Sequence, residues 1–111
     1  MAAAGDSEVL WDASNSRFAT KDGLAYLQYI IQCKNHKPVM DLVHTYVPPS
    51  KRGGGVAARL CAAAFEHAQK NGYLVIPTCS YISETFLPRN AMWKEIIFTP
   101  DQYSWNERAL L

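Results

Sequence analysis

The stretch from Val47 to Ala57 constrains this chain more than any other part of its sequence. It holds two prolines followed by three glycines, and it separates two segments of different pattern. Before it, the β-branched and apolar residues of 39–47 predict a strand, which the prolines end because they cannot donate to a sheet ladder. After it, apolar residues at helical spacing from Val56 to about Lys70 predict an amphipathic helix. The sequence therefore predicts a strand, a glycine loop and a helix in succession.

Such a loop can hold an anion. Glycine adopts positive φ without strain and lets a ligand approach the backbone closely. The first N–H groups of a helix lack intrahelical partners, and the helix dipole favours negative charge there, where Lys51 and Arg52 add two cations. The pattern predicts a phosphate site, and a flexible turn with a solvated basic pair is the alternative. A P-loop is excluded because no Gly-Lys-Ser/Thr follows, and the dinucleotide fingerprint does not fit residues 53–58.

Short segments of β pattern lie on both sides of this unit. Those before the loop are separated only by turns and predict a four-stranded antiparallel meander, over 8–12, 17–20, 25–33 and 39–47. Residues 73–78 predict a fifth strand, parallel to the fourth because a helix crosses between them. A short C-terminal helix is expected over 80–87, stopped by Pro88, and 93–98 fit either a strand or a helical turn. The predicted fold class is α/β (α+β).

The predicted organisation is one domain with two short ends. The domain spans 8–98, residues 1–7 are expected to be disordered, and 99–111 form a tail without predicted structure. Strict alternation along the fourth strand puts His44 on the face of Met40 and Leu42, and Thr45 on the opposite face.

Composition narrows the function classes. The chain has 111 residues and a net charge of +1, so no global field recruits nucleic acid or a membrane. Cys33, Cys61 and Cys79 are an odd number without paired spacing, which argues against a disulfide framework and against zinc or any other metal site. The sequence shows no secretory signal and no apolar run of membrane-spanning length. We therefore expect a soluble intracellular protein, cytoplasmic and/or nuclear.

The loop also resembles a known motif. Arg52-Gly-Gly-Gly-Val-Ala57 resembles the Arg/Gln-x-x-Gly-x-Gly/Ala loop of the GNAT acetyltransferase superfamily. Three further runs are similar to very short, single-domain GNAT-like acetyltransferases, including small plant ones: Val39-Met-Asp-Leu-Val-His-Thr-Tyr-Val-Pro, Cys79-Ser-Tyr and Phe86-Leu-Pro-Arg-Asn. The resemblance covers roughly residues 9–97 and implies a minimal GNAT-like fold. It also implies an N-acetyltransferase that uses acetyl-CoA as its co-substrate.

The resemblance implies the coenzyme-binding residues as well. It assigns Thr45 and Val47 to the pantetheine arm, which in the superfamily runs between the splayed fourth and fifth strands. It assigns the pyrophosphate to the basic glycine loop and the helix start, which comprise Lys51, Arg52, Gly53, Gly54, Gly55, Val56 and Ala57. The distal part of the coenzyme is expected to face Ser80, Tyr81 and Arg89.

Two residues are candidates for the chemistry. His44 is a candidate base that deprotonates the amine, because imidazole is the commonest proton acceptor in catalysis, and Cys79 is a candidate nucleophile that accepts the acetyl group first. The resemblance to the short GNAT-like group implies that both of these positions are catalytic. Tyr81 is a candidate acid for the departing thiol. The alternatives are a hydrogen-bonded structural histidine and a buried cysteine with no chemical role. Asp41 and Glu84 are weaker candidate bases because no partner is evident for either.

The segment between the first two strands is short. Asp12 to Arg17 leaves room only for a turn, whereas longer superfamily members have helices there that enclose the acceptor. We therefore expect an open acceptor side that suits a protein or peptide amine, on a monomer or a weak homodimer. A CoA-binding module with little or no turnover is the alternative function. A small RNA-binding domain is less consistent with the sequence, because aromatic and basic residues do not interleave on one face.

Overall fold

A computed structural model describes residues 8–99 of the chain. The predicted disordered N-terminus at 1–7, and all of the predicted tail except Thr99, lie outside the described residues.

Five strands form one sheet in the order in which they occur in the chain. They are β1 (Val9–Asp12), β2 (Arg17–Thr20), β3 (Tyr26–Lys34), β4 (Lys37–Tyr46) and β5 (Leu74–Ile76). The first four are antiparallel neighbours, and β5 pairs with β4 in parallel. The predicted meander and the parallel fifth strand are therefore confirmed, although β5 is shorter than the predicted 73–78.

One long helix, α1 (Val56–Lys70), covers one face of the sheet. Its apolar stripe packs on apolar side chains of β2, β3, β4 and β5, as the helical spacing predicts. Leu27, Leu42, Leu60 and Phe65 are completely buried in this single core. The opposite face of the sheet carries no described helix. The connection between β1 and β2, which could have placed one there, contains only the 3₁₀ turn Ala13–Asn15.

The segment after β5 differs in detail from the prediction. A π-helical turn at Ile82–Phe86 continues directly into a short helix, α2 (Leu87–Arg89). Pro88 therefore lies inside the helical segment instead of ending it, since the wider π turn relieves the clash that proline makes with the preceding turn. Ala91–Ile96 is a 3₁₀ helix, and Ile97 then bridges to Val75 in parallel.

A β-bulge in β4 changes which side chains share a face. His44 and Leu42 oppose two adjacent residues of β3, so Val43 between them is an extra residue. An extra residue reverses the alternation beyond it. Thr45, opposite the fully buried Leu27, therefore lies on the helix-covered face, and His44 lies on the outer face. The predicted faces of His44 and Thr45 were wrong, because strict alternation does not anticipate an inserted residue.

Candidate active site

The loop before α1 turns at two of its three glycines. The φ angle is +89° at Gly53 and +76° at Gly55, a region in which an L side chain is strained, whereas Gly54 has no positive φ. Gly55 is the N-cap residue of α1, and no described side chain caps the helix there. The first N–H groups of α1 therefore meet the requirement of an anion site, which is a helix start without side-chain caps.

A cavity of about 220 Å³ opens in front of this helix start. Its walls come from the loop, the first turn of α1 and one aromatic ring after β5: Val47, Lys51, Arg52, Gly53, Gly55, Val56, Ala57, Ala58 and Tyr81. All of these except Ala58 are residues that the resemblance implies for coenzyme binding. The structure thus brings most of the implied set together around one space, and Gly54, Thr45, Ser80 and Arg89 lie outside its walls.

Lys51 is tied to the sheet. Its Nζ forms an ion pair with Asp22 in the β2–β3 turn, where the two side chains are 17% and 28% exposed. Asp22 also accepts hydrogen bonds from Leu24 N and Thr20 Oγ1, and the bond from Lys51 is the main reason that the pKa of Asp22 falls to about 2. The expectation of two free cations at the loop therefore changes: Lys51 anchors the loop, and its charge is already compensated.

Two arginines supply the remaining positive charge. Arg52 donates from Nε to the carbonyl oxygen of Val47 at 2.9 Å, which orients its guanidinium while other N–H donors remain for a ligand. Arg59 Nη1 lies 3.8 Å from the position that a Cβ on Gly55 would take. Arg59 was not selected from the sequence, although its place in the first turn of the predicted helix puts it above the loop.

The strands β4 and β5 separate near the middle of the sheet. Their parallel pairing covers only Val39–Asp41 with Leu74–Ile76, and one more backbone bond joins Cys79 N to Leu42 O at 2.9 Å. Beyond that bond, no described strand pairs with the β5-facing edge of 43–46. The open edge runs from the closed end of the cleft toward the cavity at α1.

Cys79 lies in this cleft. Its Sγ donates to Thr45 Oγ1 at 3.5 Å, although the two residues are 34 positions apart in the sequence. His44 is exposed on the outer face, with its ring 6.0 Å from that of Tyr26. The structure therefore joins Cys79 to Thr45, and the sheet lies between Cys79 and His44.

Burial raises the pKa of two neighbouring groups, the Cys61 thiol and the Tyr81 phenol. It raises the pKa of the Cys61 thiol to about 12, with a smaller contribution from the nearby Cys79. Burial also raises the pKa of Tyr81, with Cys61 adding to the effect and Arg89 opposing it. The Tyr81 phenol therefore stays protonated near neutral pH and can donate a proton. The implied distal residue Ser80 is exposed next to it.

Asp41 has partners that the sequence did not reveal. Its Oδ1 accepts a short hydrogen bond from Thr78 Oγ1, and its Oδ2 accepts one from Gln32 Nε2 at 3.1 Å. Gln32 lies on β3 and Thr78 in the segment after β5, so no local pattern around Asp41 could show these donors. The bonds hold its carboxylate at the closed end of the cleft.

Comparison with known proteins identifies the family. A family model described as GCN5-related N-acetyl-transferase matches residues 17–96, more than two thirds of the chain. The chain belongs to the GCN5-related N-acetyltransferase family. The predicted superfamily, its fold and the enzyme class are thereby confirmed.

A solved structure supports the fold of this GNAT enzyme. The NMR solution structure of a GCN5-like protein from Staphylococcus aureus, proposed to be an N-acetyltransferase, matches with a TM-score of 0.62 and 23% sequence identity. The match covers 84% of this chain and 89% of that one. At this identity the likeness concerns the fold.

The residues present fit the acetyl donor of the family, acetyl-CoA. A diphosphate needs an uncapped helix start and donors, and α1, Arg52 and the positive-φ glycines supply them. Among residues 8–99, no group of three or more His, Cys, Asp or Glu could hold a metal ion. Within the same part of the chain, no helix has the length and apolar character needed to cross a membrane.

Proposed function

We propose that this GNAT enzyme moves the acetyl group of acetyl-CoA to a primary amine of a protein or peptide. One observation carries the proposal: the uncapped start of α1 faces a cavity, and the open edge of β4 leads from there toward Cys79 and Thr45. The start of α1 suits a diphosphate, and the region of Cys79 and Thr45 suits the reacting thioester.

The loop and the first turn of α1 would hold the diphosphate. Backbone N–H groups of α1 point at it, and Arg52 neutralises its charge from a side chain that Val47 already orients. Lys51 contributes indirectly, because its ion pair with Asp22 keeps the loop in position. The unpaired edge of β4 offers backbone groups to the amides of the pantetheine arm.

Acetyl transfer to an amine requires a neutral nucleophile and a stabilised leaving group. The amine nitrogen attacks the thioester carbonyl carbon, the C–N bond forms, and the C–S bond breaks to release the coenzyme thiolate. The amine gives up its proton to a base, and Tyr81, whose pKa burial raises, protonates the thiolate. Tyr81 lines the cavity, so it lies on the coenzyme side of the cleft.

Two routes use different residues. In the direct route, His44 takes the amine proton on the exposed outer face. In the two-step route, the Cys79 sulfur attacks the thioester and its proton passes to the departing coenzyme A thiolate. The amine then attacks the acetyl-cysteine, and the amine proton passes to the released Cys79 thiolate. Cys79 Sγ contacts Thr45 and not His44, so each route stands on its own residue.

The open outer face supports a large acceptor. Only the 3₁₀ turn Ala13–Asn15 joins β1 to β2, so no described helix encloses the acceptor on that side. An extended peptide can lie across the exposed side chains of the sheet, whereas a small metabolite would meet few enclosing contacts.

Mass spectrometry tests the proposal. The protein is incubated with acetyl-CoA and a library of short peptides with free amines, and both peptides and intact protein are weighed. We expect wild type to acetylate peptides. His44→Gln should lose most of the rate if the direct route operates, and Cys79→Ser should lose most of it if the two-step route operates. Cys33→Ser is the matched control, because Cys33 is exposed on β3, outside the cleft. Binding of acetyl-CoA without acetylation of any amine would contradict the proposal and leave a coenzyme-binding module.

A further inference from the structure

We propose that Asp41 binds the ammonium group of the acceptor before transfer. This inference rests on the proposed acetyl transfer and names the group that recognises the amine. The acceptor class is a primary amine that arrives as a cation, in preference to a neutral alcohol or thiol.

The position of Asp41 supports this role. Asp41 is the last β4 residue that pairs with β5, where it opposes Ile76, and it lies opposite Ile30, which is 50% exposed on the outer face. Its partner Thr78 directly precedes Cys79 in the chain. The carboxylate therefore stands at the closed end of the cleft, on the face open to the acceptor.

The carboxylate is oriented but not neutralised. Thr78 and Gln32 each donate one hydrogen bond to it, one to each oxygen, and both donors are uncharged. Each oxygen keeps further capacity to accept. No residue within 8–99 forms an ion pair with Asp41. A rigid, half-exposed carboxylate without a cation is complementary to an ammonium group, and a charge-assisted hydrogen bond to it is stronger than a neutral one.

Aromatic rings on the same face extend this complementarity. The ring of Tyr26 lies 5.8 Å from that of Tyr46 and 6.0 Å from that of His44. The Arg17 guanidinium already lies 5.3 Å from the centroid of the Tyr26 ring, so these rings would pack against the apolar parts of a peptide, and its ammonium group is left to Asp41. The cation held by Asp41 must lose a proton before it attacks, and His44, exposed on this face, can accept it.

A purely structural role for Asp41 is the competing explanation, since its bond to Thr78 also joins β4 to the segment before Cys79. The two roles separate by charge. Asp41→Asn keeps an acceptor for Thr78 but removes the charge, and Asp41→Glu keeps the charge. Thr78→Val removes the joining bond and leaves the charge in place, so it is the matched structural control.

Two acceptors serve as probes at pH 7: a tetrapeptide amide with a free N-terminus and one lysine, which is cationic, and hydroxylamine, which is largely neutral. We expect Asp41→Asn to lower kcat/KM for the tetrapeptide about 10- to 100-fold, the range of a lost charge-assisted bond. Its rate with hydroxylamine and its affinity for acetyl-CoA should change less than about twofold, and Asp41→Glu should restore part of the loss. Thr78→Val should affect both acceptors alike.

The outcomes separate this inference from the proposed function. Equal losses with both acceptors in Asp41→Asn, or no loss with the tetrapeptide, would overturn the role of Asp41 and leave acetyl transfer intact. A wild-type protein that acetylates neither probe nor any library peptide would overturn both. Circular dichroism of each variant shows whether it is folded, and Asp41→Ser, which also removes the charge but keeps an oxygen acceptor, supplies the charge test if Asp41→Asn is not.

Discussion

Replacing Gly55 with alanine tests whether the left-handed loop backbone forms the anion site. An L residue in the left-handed region costs about 1–2 kcal/mol more than glycine, and φ at Gly55 is +76°. No clash adds to this, because the nearest atom to the new Cβ is Arg59 Nη1 at 3.8 Å, an ordinary contact. The smaller entropy of unfolded alanine offsets about 0.4–1 kcal/mol. We therefore expect a net cost of about 1 kcal/mol.

This cost must appear either in stability or in affinity. If the loop keeps its shape, the free energy of unfolding falls by about 1 kcal/mol and Tm falls by about 4–8 °C, the range for a domain of this size. If the loop relaxes instead, stability is kept, and coenzyme A binds at most about fivefold more weakly, because binding must restore the strained shape. Urea denaturation and calorimetric titration with coenzyme A measure the two contributions, whose sum should stay near 1 kcal/mol.

Gly54→Ala is the matched control. Gly54 has no positive φ and no atom within 4 Å of its Cβ position, so alanine there should leave affinity unchanged and stability equal or slightly higher. Equal effects of the two substitutions would refute the reasoning, since they would mean that glycine content and not backbone handedness decides the behaviour of the loop.

Three further predictions concern charged groups. The pKa of Asp22 is about 2 in the folded protein against 3.8 unpaired, so its contribution to stability is complete above pH 3.8 and is lost as the pH falls toward 2. Urea midpoints should show this loss in wild type, a smaller loss in Lys51→Met, where Leu24 N and Thr20 Oγ1 still donate to the carboxylate, and none in Asp22→Asn. Burial lowers the pKa of His67, so the unfolded chain takes up the proton first and stability should fall as the pH drops below 6.5, an effect absent from His67→Gln. The Trp11 ring lies 4.4 Å from that imidazole, so tryptophan fluorescence should report its titration. Arg59→Gln should weaken coenzyme A binding about two- to fivefold at low salt and less at high salt, as measured by titration calorimetry.

Local sequence signals predicted the parts of the fold that local residues determine. The two prolines after Val47 end β4, the glycines begin α1, and the apolar spacing over Val56–Lys70 matches the observed helix. The anion site at the loop could also be predicted from local residues. Its donors are backbone groups of consecutive residues, whose geometry follows from glycine content.

The features that the sequence did not predict depend on partners far away in the chain. The charge of Lys51 is compensated by Asp22 from another turn, and the partner that orients Asp41, Thr78, lies 37 positions away. The bulge at Val43 is set by the register with β3, while its own sequence continues an ordinary apolar alternation. Sequence periodicity carries no information on such pairings, so the faces of the site could not be predicted.

The bulge also determines how the two candidate catalytic residues relate. A base activates a thiol only within hydrogen-bond reach, and the sheet lies between His44 and Cys79. Thr45, the observed partner of Cys79, is a neutral hydroxyl that orients the thiol and cannot serve as its base. His44 therefore does not serve as the base that activates Cys79. If the two residues contribute independently, the logarithmic rate losses of His44→Gln and Cys79→Ser should add in the double variant. A pair that acts as one unit would instead show the same loss singly and together, which would contradict the separation by the sheet.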